Sequence, residues 1–252
     1  MKKLPILIVA LLISLTAFGD YPLLTPFLPI EEELDSIFYI NNMFKPYEVT
    51  IGGEPGALTD DDYREVAKMM GVEVAAIKAV VDIETGKKSI GFYETGKPLI
   101  NFDLSIYRAR ARRHGVDLAA AQRQSPEIFR SPNIKKYGSQ QLAQQARLDQ
   151  AIAINEESAL EGTFWGMFQI GGFNWQLVGC ESVQEFVELM SRSERDQLEL
   201  FARYCQARDL TKYIKARNWA AFSLRYNGQA YAAQGYHTKM AESYHKYKRQ
   251  GY

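Results

Sequence analysis

Val74 to Lys88 reads VAAIKAVVDIETGKK, and its reading decides the fold. Val74, Ile77, Val80 and Val81 recur at three- and four-residue spacing, which predicts a helix with one apolar face. The same spacing carries Glu84 onto that face, at the last turn before Gly86. A carboxyl group aimed at a core is costly to ionise, so it keeps its proton to higher pH. Such an acid suits glycosidic bond cleavage, which needs a proton donor near neutrality. The alternative from spacing alone is a helix-end glutamate that turns away into water.

Working outward, Thr59 followed by Asp60, Asp61 and Asp62 marks a helix start, with acids at the positive end of the dipole. That helix should run to about Met70, where Gly71 breaks it. Glycines at 86, 91 and 96 with Phe92 and Tyr93 predict a turn-rich segment and a short hairpin, which Leu99 to Asp103 would close as a strand. Arg108 to His114, RARARRH, reads as a solvated helix face or as a contact for an anionic wall polymer. Further helices are expected over 139–160, after a capping box at Ser182 and Glu185, and at about 194–207, 211–225 and 237–249. The fold class is all-α, mainly helical with at most a small hairpin.

The chain has 252 residues, 46% hydrophobic and 24% charged, with zero formal net charge. This is the balance of an ordinary globular domain and gives no reason to expect nucleic acid as a partner. Lys2 and Lys3 precede an apolar run from Leu4 to Phe18, and Ala17-Phe18-Gly19 offers small residues for a signal peptidase. Residues 1–19 are therefore expected to be a signal peptide cleaved after Gly19, the run being short for a spanning helix. Membrane contact would then be transient, and the product exported to the periplasm or medium. The proline-bearing stretch 20–58 reads as an extended lead-in to a domain over 59–252. Cys180 and Cys205 are the only cysteines, and a disulfide and two buried thiols are both open. No metal site or cofactor is expected, and a monomer is.

Three short stretches then line up in order: Glu84-Thr85 at a helix end, Gly166-Met167-Phe168-Gln169-Ile170 after Trp165, and Tyr226-Asn227-Gly228. Together they resemble the lysozyme-like superfamily, which includes goose-type lysozymes and lytic transglycosylases. The similarity is greater to its N-acetylmuramidase domain family of phage-endolysin type. It covers residues 64 to 248 through AIKAVVDIET, GFYETGKPLINFD, ALEGTFWGMFQIGGFNW, SVQEFVELMSRSERDQLELFARY, NWAAFSLRYNG and GYHTKM. The resemblance implies a lysozyme-like fold with a glycan groove and, as substrate and partner, the glycan strands of peptidoglycan. It implies cleavage of the β-1,4 bond between N-acetylmuramic acid and N-acetylglucosamine, with Glu84 as general acid.

The resemblance also places Thr85, Gln169, Asn227 and Tyr226 at the substrate. Gln169 and Asn227 are neutral amides suited to N-acetyl and hydroxyl groups. Tyr226 could equally be a core aromatic, and Trp165 and Phe168 read as packing or as ligand contacts. Thr85 stands where the family usually has Ser and keeps the hydroxyl. The family's Phe-Glu-Arg-His stretch is here Phe102-Asp103-Leu104-Ser105. Asp103 is the candidate second carboxylate, or else a structural cap, and no role is carried over for the missing His. Two other functions stay open at this stage: a lytic transglycosylase forming 1,6-anhydro products, and a wall-binding protein without turnover.

Overall fold

The computed structural model of the chain describes residues 57–85, 91–229 and 231–252. The expected signal peptide and nearly all of the lead-in lie outside the described residues, as do positions 86–90 of the expected hairpin segment.

The first two helices are α1 (Asp60–Met70) and α2 (Val74–Glu84). Thr59 caps α1 as its sequence indicates: its hydroxyl accepts from Asp62 N–H while the Asp62 carboxylate accepts from Thr59 N–H at 2.7 Å. Gly71 ends it at φ +65°, in the left-handed region that favours glycine. Helix α2 is the axis of the fold. The spacing predicts one-sided burial, but Ala75 through Val81 are all buried, because the helix is wrapped on nearly every side. Ile77, Val80 and Val81 are fully buried, each contributing about 1.5–3 kcal/mol of apolar burial. Even Lys78 is enclosed, its ammonium 2.7 Å from Asp60 and over the rings of Tyr63 and Tyr252.

The middle of the chain builds a sheet-bearing half. Strands β1 (Phe92–Glu94) and β2 (Lys97–Pro98) form the hairpin. Strand β3 (Ile100–Phe102) does not close that hairpin. It instead pairs antiparallel with β4 (Thr163–Trp165), which pairs in turn with β5 (Ile170–Gly171). Between β3 and β4 come α3 (Leu104–Arg113), α4 (Leu118–Gln124), a 3₁₀ turn (Pro126–Phe129), α5 (Ile134–Tyr137), α6 (Gln140–Ile152) and α7 (Glu156–Glu161). The single helix expected over 139–160 is thus two. Asn155 breaks it, its side chain accepting from Ser158 N–H at 2.9 Å to start α7. Gln141 covers the edge of β3, bonding both the N–H and the carbonyl of Ile100.

A 3₁₀ turn (Gly172–Asn174) then leads to α8 (Val183–Arg192), α9 (Glu194–Ala207), α10 (Thr211–Lys215), α11 (Trp219–Asn227), α12 (Tyr231–Gln234) and α13 (Tyr236–Arg249). Ser182 caps α8, but Glu185 returns to the N–H of Glu181 rather than of Ser182, so the box is only half formed. The helix expected over 211–225 splits at Arg217, whose φ is +55°, and Asn218 caps α11. Helix α13 packs along α2 and against α11, while α1 packs on both α2 and α9. Cys180 and Cys205 are free, buried thiols. Among the described residues no helix is long and apolar enough to cross a membrane.

In the basic run, Arg110 lies 3.9 Å from Glu161 and over the ring of Phe173, and His114 meets Glu157 and Glu161. Part of its charge therefore holds α3 to α7, while Arg112 and Arg113 are exposed.

Candidate active site

The last turn of α2 delivers Glu84 into the place where α11 ends. Glu84 is 1% exposed. Its Oε1 accepts a hydrogen bond from Asn227 Nδ2 at 3.0 Å, between residues 143 positions apart. Its Oε2 is buried and has no protein partner, and neither does Asn227 Oδ1. Among the described residues no cation pairs with it. Burial therefore dominates and pushes the Glu84 carboxyl up to about 8, with the Asn227 bond pulling weakly the other way. The charge Glu84 would carry also acts on Cys205, Tyr226 and Tyr236, the last of which burial raises to about 12. Around this carboxyl there are phenols, a thiol and amides, and the group is held as an acid.

An N–H donor at Oε1 needs a lone pair there. The carbonyl oxygen of a neutral carboxyl is its better acceptor, so this bond favours the proton on Oε2, the oxygen without a partner among the described residues. The geometry presents a proton without a local acceptor.

Tyr226, one residue before Asn227, is fully buried. Its ring stacks on Phe222 and meets Phe201 and Tyr204 edge-on, and its hydroxyl donates to the Phe168 carbonyl at 2.9 Å. That bond ties the end of α11 to the turn between β4 and β5. Phe168 stacks on Phe201 at 4.2 Å and has no exposed surface. Gln169 follows with φ +48°, a left-handed backbone that costs energy for a residue with a Cβ. Its side-chain amide donates to the Gly166 carbonyl at 2.8 Å. Thr85 is buried, and its hydroxyl donates back to the Val81 carbonyl at 2.7 Å. Trp165 is packed in the core with its indole N–H on the Leu160 carbonyl. The structure thus brings Glu84, Asn227, Tyr226 and the Phe168–Gln169 turn together, with Trp165 behind them.

Asp103 is held at the start of α3. Its Oδ1 accepts from the N–H groups of Ser105 at 2.8 Å and Ile106 at 2.9 Å, so it is the N-cap of α3. Its own N–H donates to the Gly162 carbonyl, whereas Gly166 N–H donates to Leu99 at the opposite end of β3. Four residues of strand, roughly 13 Å, separate these two ends. The capping alternative open in the sequence is the one its contacts display.

Gln197 was not among the residues singled out in the sequence. It is fully buried, accepts from Met167 N–H at 2.8 Å and donates to the carbonyls of Met190 and Gly91. Gly166 turns at φ +71°, and a Cβ there would stand 2.7 Å from the Gln197 oxygen. This amide locks the turn that carries Phe168 and Gln169. The legible signal was a polar residue on the face of α9 that also carries Leu200, Phe201 and Tyr204.

A family model described as N-acetylmuramidase matches residues 73–248. None of the curated protein sequences compared with the chain matches significantly. Among solved structures, the crystal structure of the Burkholderia AP3 phage endolysin is similar with a TM-score of 0.66 and 31% identity, over 80% of this chain and 74% of that one. The match spans α2, the β4–β5 turn and α11, and the chain belongs to the N-acetylmuramidase family, as a lysozyme-like glycoside hydrolase that degrades peptidoglycan.

Proposed function

We propose that the protein cleaves the β-1,4 bond between N-acetylmuramic acid and N-acetylglucosamine, with Glu84 as general acid. The observation that carries the reading is a buried carboxyl that, among the described residues, has no cation beside it, one oxygen held by Asn227 and the other without a partner. Glu84 protonates the oxygen leaving C1 of the muramic acid, and general acid catalysis of this kind contributes about 10²–10⁴-fold. Asn227, besides fixing the acid, keeps Oδ1 for a donor of the glycan such as an N-acetyl N–H. Gln169 presents a second amide from a strained turn, and Thr85 shapes the end of α2 beside the acid. Tyr226, Phe168 and Trp165 hold these groups from the core side. In this reading Asp103 fixes the start of α3 and is not a reacting group.

With one carboxyl seen beside Asn227 among the described residues, a second reading has a specific support: a lytic transglycosylase, in which Glu84 returns as base and the muramic acid 6-hydroxyl takes the place of water. Export after cleavage near Gly19 completes the proposal, since peptidoglycan lies outside the cytoplasm. N-terminal sequencing of the secreted product tests that part.

The central experiment is digestion of purified peptidoglycan by the wild type and by Glu84→Gln, with products read by mass spectrometry. Reducing muropeptides from the wild type alone support the hydrolase. Products lighter by one water transfer the site to the transglycosylase reading. Turnover by Glu84→Gln at the wild-type rate overturns the assignment of the acid.

A further inference from the structure

Away from Glu84, a cavity of about 400 Å³ opens between the Pro126–Phe129 turn, α5 and α6. Its lining includes three cations, Arg130, Lys135 and Arg147, and one anion, Glu127. Glu127 is already neutralised: Lys136 lies 2.6 Å away, the Tyr137 hydroxyl donates to it, and Gln150 adds a third bond. These donors hold its carboxyl down at about 2. Arg147 is 6% exposed, with both Nη groups on the carbonyls of Phe102 and Ile128 and on Gln144. Its Nε has no partner, and no carboxylate lies in ion-pair range of it among the described residues. Asp103 acts on it electrostatically, but that carboxylate is committed to capping α3. Burial lowers Arg147 to about 10, which leaves it charged at neutral pH. Arg130 and Lys135 stand exposed at the rim.

A buried guanidinium that lines a concavity, with Nε unpaired and no carboxylate in ion-pair range, is costly, and an anion seated in the hollow would offset its charge. The rest of the lining narrows which anion. Ile134 is 40% exposed, Pro132 adds an apolar wall, and Asn133 spends its side-chain oxygen on Lys136 N–H, leaving its amide N–H₂ to donate. A phosphodiester polymer is met by cations strung along an open track. A half-open hollow with aliphatic walls, an amide donor and three lining cations suits a short peptide that carries carboxylates.

We propose that this cavity is a second binding site, for the carboxylate-bearing peptide stems attached to the muramic acid of peptidoglycan. The inference rests on the muramidase reading for its source of peptide, and it adds a substrate preference: glycan that still carries its stems is bound more tightly than bare glycan.

The test uses the full-length chain and the double variant Arg130→Ala/Lys135→Ala, whose exposed side chains leave the fold intact. One arm titrates a synthetic acidic tetrapeptide, L-Ala-γ-D-Glu-diaminopimelate-D-Ala, into each protein by calorimetry and by amide NMR. Binding with shifts confined to residues 127–137 and 147, weakened at least fivefold in the double variant, supports the proposal. The other arm compares cleavage of intact peptidoglycan with cleavage of glycan stripped of its peptides. A several-fold rise in KM for the double variant on intact substrate only, at unchanged kcat, is the expected result. No peptide binding by the wild type overturns it, as does equal binding by both proteins. Displacement of the peptide by a phosphodiester polymer that binds more tightly reassigns the cavity to wall polyanions. Should the wild type cleave neither glycan, the muramidase reading fails, and the peptide titration still decides the site.

Discussion

Glu84 and Asp103 are both acids at the boundary of a secondary-structure element, and the fold treats them oppositely. Asp103 gives one oxygen to two backbone N–H groups at the start of α3. Glu84 ends its helix inside the protein, where a single amide meets one oxygen and burial raises its pKa to about 8. A carboxyl surrounded by apolar groups and phenols retains its proton to higher pH, as Glu84 does. The difference shows that position at an element's end does not set an acid's chemistry. For Glu84 what sets it is burial first, with the one amide donor pulling weakly the other way.

The most forceful way to break this contrast is at Glu84 itself. Glu84→Gln should lower muropeptide release by about 10²–10⁴-fold while the protein stays folded by circular dichroism. Comparable turnover by the variant would end the distinction between the two acids.

The same burial predicts two pH dependences. Activity should fall as pH rises through about 8, because Glu84 then loses the proton it must donate. For stability, both states hold the proton below about 4.5, the ordinary value for this carboxyl. Between 4.5 and 8 only the folded state holds it, so stability declines with rising pH across that window. In Glu84→Gln the decline, which is worth a few kcal/mol, should vanish. Parallel urea melts of the two proteins from pH 4 to 9 would leave the contrast without its cause if their curves ran alongside each other.

Asn227→Ala sharpens the comparison from the donor side. It removes the one hydrogen bond that favours the charged form, so the alkaline limb of the rate profile should move to higher pH. Lost positioning of the acid should cost about 1–2 kcal/mol, roughly a tenfold fall in kcat. Tyr226→Phe deletes the bond that ties α11 to the β4–β5 turn and should lower stability by about 1 kcal/mol, read by chemical denaturation.

The smallest effect is expected at Asp103. Asp103→Ala should cost about 1 kcal/mol of stability through the lost cap, and Asp103→Asn much less, because Asn caps nearly as well. Neither should reduce turnover more than slightly. A hundredfold loss in Asp103→Asn, with stability retained, would show a carboxylate acting in the reaction and erase the contrast.

Much of this was legible in the chain. Thr59 with its three aspartates gave the start of α1, and α9 lies at 194–207 as its pattern indicates. The sequence reads as continuous helix over 139–160 and 211–225 because Asn155, Arg217 and Asn218 interrupt it without a glycine or proline to announce the break. Local sequence places strand β3 with the nearby hairpin, whereas its partner lies some sixty residues on, across five helices and a 3₁₀ turn. Gln197 escaped notice because a glutamine on an apolar face has no meaning until Gly91 and Met167 are seen beside it.

By itself the sequence determined the helical pattern, the position of Glu84 at the end of α2, and the ordered blocks that mark an N-acetylmuramidase. Those features are local, or repeat along the chain at fixed spacing. Tertiary structure alone decided that α2 is enclosed on nearly every side, that Glu84 meets Asn227 across 143 residues, and that Asp103 spends its charge on a helix cap. Burial and hydrogen-bond supply come from segments that meet only when the chain has closed on itself, and they set whether a carboxyl holds or gives up its proton.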